Sequence, residues 1–189
     1  VLLTSVPLIF AATGELVAER SGVLNLGVEG MMLMGAVSAF AATSIFGNPY
    51  VGVFAGAIAG TLTAAVFSIF ALGLATNQVA TGLALTIFGT GLSGLVGAPF
   101  VGGTVDGLPS LAIPILSDIP VFGNLLFNHD IMAYLSVAFL TLVALFLNWT
   151  RAGLILRAVG NSHESAHALG YPVLLARFYA VSFGGIMAG

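Results

Sequence analysis

Between Gly30 and Val105 the chain carries no Asp, Glu, Lys or Arg. Soluble domains hold about 25% charged residues; here 6% of 189 residues are charged and 59% are hydrophobic, with a mean hydropathy of +1.13. The apolar runs are long enough to cross a bilayer as helices. The expectation is an all-α, polytopic transmembrane helical bundle with broken helices, a single domain over residues 1–189. Composition also narrows function. Four Arg and no Lys leave no basic patch for nucleic acid, and the absence of Cys removes thiolate metal sites and disulfides.

Val1–Val17 reads as most of one spanning helix, with Pro7 predicting a kink. Met31–Phe46 is a helix ended by Gly47-Asn48-Pro49, a strong turn signal. Tyr50–Ala75 follows, and its Gly52, Gly56 and Gly60 form a doubled GxxxG that admits a neighbouring helix backbone to backbone. Val79–Gly97 and Ile131–Thr150 complete the spans. Ala98–Asp130, with four prolines, three aspartates and no basic residue, reads as an irregular loop. The chain starts without Met and stops inside the apolar run Phe178–Gly189, which predicts a fragment of a longer protein.

Two polar interruptions stand out. In Gly14–Gly35, GELVAERSGVLNLGVEGMMLMG, the charges of Glu15, Glu19, Arg20 and Glu29 fall between apolar runs. Each would cost about 2.5–3.5 kcal/mol at a bilayer centre. They therefore line a protein-walled interior or sit at a membrane edge, and both options are open at this stage. Asn25 and Glu29 are four residues apart, so a helix resuming there would show both to a solute from one face. The second interruption, Thr76-Asn77-Gln78, is either a plain loop or a second break facing solute.

Arg151–Arg177 holds three of the four Arg. By the positive-inside rule this loop is cytoplasmic and 98–130 extracytoplasmic. Within it, Asn161 as N-cap with Glu164 three residues on resembles a capping box, and Gly170 followed by Pro172 closes a helix. A short helix over Ser162–Leu169 is predicted, able to move its neighbours as a unit when a partner pushes it. It contains His163-Glu164-Ser165-Ala166-His167, a literal HExxH, the pattern of zinc metalloproteases. A third ligand is missing, and His129 falls on the opposite side, so no metal site is expected.

Some of these residues are familiar. Glu19–Gly35, ERSGVLNLGVEGMMLMG, closely resembles the signature of permease subunits of bacterial ABC importers for nucleosides and simple sugars. Gly153–Gly170, GLILRAVGNSHESAHALG, resembles their cytoplasmic docking loop of the type GLxLRAxGxNxxAAxxxG. Asn77-Gln78-Val79 with Gly82-Leu83-Ala84, and Ile113–Gly123, fit the same group. In looser form the motifs extend to the branched-chain amino acid and ribose permease superfamily. One departure is Ser162, where the family often has Pro.

The resemblance implies a multi-pass subunit of the bacterial cytoplasmic membrane without catalysis or cofactor of its own. Its partners would be an ATP-binding cassette subunit, a second permease subunit and an extracytoplasmic solute-binding protein that meets loop 98–130. It makes Ser162–Leu169 the coupling helix within 151–177, with Arg157, Gly160, Asn161, Glu164 and Gly170 as its working residues. It places Asn25, Glu29, Asn77 and Gln78 along the solute path. Two other classes stay open: an intramembrane zinc protease built on His163, Glu164 and His167, and a secondary transporter that works without ATP.

Overall fold

The computed structural model describes residues 2–105, 107, 110–112 and 128–189. Asp106, Pro109, Asp118 and the stretch Ile113–Gly123, to which the outer-loop expectations were attached, lie outside the described residues. The elements run α1 (Leu2–Arg20), α2 (Val28–Phe46), α3 (Pro49–Ser68), α4 (Gln78–Gly97), β1 (Ser110–Ala112), β2 (Asn128–Asp130), α5 (Ile131–Trp149), α6 (Arg151–Asn161), α7 (His163–Ala168) and α8 (Val173–Ala188). β1 and β2 pair antiparallel, Ser110 opposite Asp130, so the outer segment begins and ends on one short ladder.

Among the described residues, four helices are long and apolar enough to cross a membrane: α2, α3 with a π-helical turn at Ile69–Gly73, α4 with a 3-10 turn at Ala98–Phe100, and α5. The α2–α3 corner forms as its turn residues dictate. Gly47 takes φ +65°, and the Asn48 side chain caps α3 by accepting from the Tyr50 N–H at 2.9 Å. The sheath is apolar, with Ile87, Leu95 and Phe54 more than 70% exposed on the outer faces of α3 and α4. A soluble monomer rarely shows so much contiguous apolar surface; bilayer hydrocarbon accepts it.

Helices approach through glycine. A Cβ on Gly52 would lie 2.8 Å from the Ala39 carbonyl oxygen, and one on Gly60 would strike the Gly185 carbonyl. The doubled GxxxG of α3 is therefore its contact line with α2 and α8. Gly14 of α1 meets Gly184 of α8 in the same manner. Two apolar cores result. One gathers Val23, Met31, Phe67, Leu85 and Val181; the other packs Val17 and Ala180 on Val143, Leu147 and Leu156.

Two expectations change. Arg151–Asn161 is helical rather than loop, because Gly153, Leu156 and Val159 fall on one side and bury it, with Thr150 capping the first turn. α8 begins at Val173, ahead of the apolar run, and so takes Arg177 into the helix.

Candidate functional site at the arginine end of the bundle

Both polar interruptions exist. Residues 21–27 separate α1 from α2, and residues 74–77 separate α3 from α4. Their height in the bundle follows from helix length. α2 continues for 19 residues after the first, and α4 for 20 after the second; at 1.5 Å per residue these are about 28 and 30 Å. The interruptions therefore sit at one end of full-length helices, not at mid-height. It is the end where Arg20 meets α6: a Cβ on Gly160 would collide with the Arg20 carbonyl oxygen. Glu19, Arg20 and Glu29 are exposed at this end of the bundle, while Glu15 is half-buried.

Each residue expected along the solute path has a distinct placement. Asn25 is 3% exposed. Its Oδ1 accepts from the Gly27 N–H at 3.0 Å, and its Nδ2 lies 3.6 Å from Met31 Sδ. The face it was to share with Glu29 does not form, because α2 starts at Val28 and Asn25 precedes it. Glu29 is exposed on the first turn of α2, where the helix dipole favours an anion. Asn77 is exposed and caps α4, accepting from the Ala80 N–H at 3.1 Å. Gln78 Oε1 accepts from the Leu24 N–H at 2.9 Å, so the two interruptions are bonded to each other.

Glu15 was singled out only for its charge. Its Oε1 accepts from the Asn25 N–H at 3.1 Å, while Oε2 is buried without a hydrogen bond among the described residues. Arg177, also unassigned from the sequence, donates from Nε to the Ser21 carbonyl at 3.2 Å. Its signal was visible: it is an isolated cation at the edge of an otherwise uncharged apolar helix.

The residues expected to couple divide into two groups. Arg157, Gly160 and Asn161 line a pocket of ≈ 450 Å³ together with Glu19 and Arg20. Arg157 Nε is buried there with no hydrogen bond among the described residues. Glu164 belongs instead to α7, whose residues are all exposed except Ala166, and Gly170 lies just past the end of that helix.

The capping box moves by one residue. α6 runs through Asn161, so the first residue out of helical conformation is Ser162, at φ −153° and ψ 97°. Ser162 Oγ accepts from the Ser165 N–H at 3.3 Å and bonds Ser165 Oγ at 2.9 Å. Glu164 is thus a first-turn anion rather than the closing member of the box. The other end closes as expected. Gly170 takes φ +84°, its N–H bonds the His167 carbonyl at 2.9 Å, and the Tyr171 N–H bonds the Ala166 carbonyl at 3.1 Å. That pair of bonds is a Schellman closure.

His163, Glu164 and His167 all face outward on this six-residue helix. Among the described residues no three His, Asp, Glu or Cys side chains, these included, are grouped so as to hold a metal ion.

Comparison with known proteins identifies the family. The family model described as "Branched-chain amino acid transport system / permease component" matches residues 1–189. The chain belongs to this permease family. Among its relatives, a Haloferax volcanii protein provisionally named a glucose ABC transporter permease is 40% identical over 186 residues, covering 96% of this chain and 56% of the relative. The nucleoside ABC transporter permease of Lactococcus lactis subsp. cremoris is 30% identical, and the guanosine ABC transporter permease of Bacillus subtilis 29%; each match covers 100% of this chain and 63% of the relative. This permease chain therefore spans just over half to just under two thirds of the length of these relatives. It is a multi-pass membrane protein, and the permease relatives give no support to the zinc protease alternative.

Proposed function

We propose that this chain is part of the membrane-spanning permease subunit of an ATP-driven importer for nucleosides or simple sugars. The supporting observation is the gathering of the arginines and a separately capped helix at one end of the bundle. Arg20, Arg157 and Gly160 meet around one pocket, Arg177 bonds the 21–27 connection, and α7 lies beside them, closed at both ends. By the positive-inside rule that end faces the cytoplasm.

An ATP-binding cassette subunit docks there, on α7 and on the pocket around Arg157. The buried, unbonded Nε of Arg157 suits an acidic partner side chain, because a charge-assisted bond would satisfy it. ATP binding moves α7 with α6 and α8, and the bundle alternates between outward- and inward-open states. The partner's differential contacts in the two states supply the bias. A second permease subunit completes the path, and a binding protein delivers solute at the opposite end, at 98–130. Glu29 and Asn77, the exposed members of the expected solute set, contact solute from the exit side. Asn25 and the carbonyl of Gln78 are already engaged within the protein.

The test is purification of the full-length protein from native membranes, followed by uptake of labelled guanosine and of glucose into vesicles. ATP-dependent uptake with a co-purifying ATPase, lost in Gly170→Pro, is the expected result. Uptake that persists without ATP or any ATPase subunit would make the protein a secondary transporter and sink the proposal.

A further inference from the structure

Four side-chain hydrogen bonds, three of them from distant parts of the chain, end on the backbone of one non-helical segment, Ser21–Gly27. Arg177 of α8 donates to the Ser21 carbonyl at 3.2 Å. Gln78 of α4 accepts from the Leu24 N–H at 2.9 Å, and Glu15 of α1 accepts from the Asn25 N–H at 3.1 Å. Thr86, also of α4, donates to the Leu26 carbonyl at 3.0 Å.

A connection at the end of a bundle does not need this fastening, because water can satisfy its backbone. Left loose, a segment containing Gly22 and Gly27 would absorb any displacement by changing φ and ψ. Here the backbone is held at both ends, and missing side chains bring it close. A Cβ on Gly160 would strike the Arg20 carbonyl on the α6 side, and a Cβ on Gly82 would lie 2.7 Å from the Leu26 nitrogen on the α4 side. The α6 and α8 contacts fall on Arg20–Gly22, and the α4 contacts on Leu24–Gly27. These are the helices that lead into and out of α7 at one end, and a helix that walls the bundle at the other.

Resting on the importer reading, we infer that Ser21–Gly27 is the junction that transmits movement of the α6–α7–α8 segment to α4, with Arg177 and Thr86 as its positioning residues. α4 packs in parallel on α2, and the two enclose a groove of ≈ 590 Å³ that ends at Phe40 and Phe100. A shift of Ser21 is passed along the fastened backbone to Leu26, and from there through the Thr86 hydroxyl to the α4 wall of that groove. Neither positioning residue belongs to α7 or lines the pocket around Arg157.

The test uses the full-length, reconstituted importer, with ATP hydrolysis and solute uptake read in the same vesicles. Guanosine and glucose are the probes. Arg177→Met and Thr86→Val, which removes the hydroxyl at nearly constant shape, should leave hydrolysis within about twofold and lower solute moved per ATP by about tenfold. Thr86→Ser, which keeps the hydroxyl, should restore the ratio. Should Arg177→Met fail to assemble, the isosteric Thr86 pair carries the test alone. An unchanged ratio, or uptake and hydrolysis falling in parallel, would overturn the junction. A wild-type complex without ATP-dependent uptake is a distinct result, which overturns the importer reading itself and the junction with it.

Discussion

Arg177 Nε and the Ser21 carbonyl oxygen lie 3.2 Å apart, joining positions 156 residues distant in the chain. The bond ties the first turns of α8 to the end of α1, and the close approach of Gly160 to Arg20 reinforces it. Of the residues the family resemblance attaches to coupling, Gly160 is packed against this contact. Small changes in side-chain volume should be felt here.

Gly160→Ala is therefore expected to destabilise the protein by about 1–3 kcal/mol, because its Cβ would collide with main chain that cannot swing aside. Gly91 of α4 is the control. Nothing lies within 4 Å of a Cβ there, so Gly91→Ala should be neutral or stabilising by about 0.5–1 kcal/mol. Thermal unfolding of the two variants in detergent checks both signs.

Ser162→Ala should cost about 1 kcal/mol of local stability, since Ser162 Oγ accepts from the Ser165 N–H. Asn161→Ala should cost much less, because Asn161 sits in the last turn of α6 with no capping bond of its own. Hydrogen exchange at the Ser165 amide separates the two. Equal effects would return the cap to Asn161.

Much of the fold is legible in local sequence, because the signals concerned are local. Gly47-Asn48-Pro49 encodes its own corner, and Gly170 with Pro172 encodes the closure of α7. The doubled GxxxG marks a contact line, though not its partners. What stayed hidden depends on contacts between distant residues. The cap moved from Asn161 to Ser162 because α6 buries Leu156 and Val159 against the bundle and so keeps its helix to Asn161. The broken stretch could not be given a height from sequence, since the start of α2 at Val28 and the contact with Gly160 and Arg177 set the level. Nothing near Asn25 announces that Glu15 and Gln78 hold its loop.

Gly170 holds φ +84°, a conformation that costs an Ala about 1 kcal/mol. Gly170→Ala should loosen the Schellman bonds of α7, seen as faster exchange of the Tyr171 amide, whose partner is the Ala166 carbonyl. Gly170→Asn should be milder, because Asn tolerates the left-handed region better. If coupling requires a rigid α7, ATP-dependent uptake will follow the same order: wild type, Asn, Ala.

Asn25 and Glu29 share a motif but differ in burial, and one pair of substitutions distinguishes their roles. Asn25 is buried and its amide oxygen holds the Gly27 N–H, so Asn25→Ala leaves a buried donor unpaired and should cost about 1–3 kcal/mol. Its effect on uptake should appear as less folded protein, with the KM of the remaining carriers unchanged. Glu29 is exposed at the start of α2, so Glu29→Gln should change stability by less than about 0.5 kcal/mol. If Glu29 faces solute, the same change will raise the KM for guanosine or glucose uptake while surface expression stays constant. A Glu29→Gln carrier with wild-type KM would remove Glu29 from the solute path and leave its carboxylate the single task of complementing the α2 dipole.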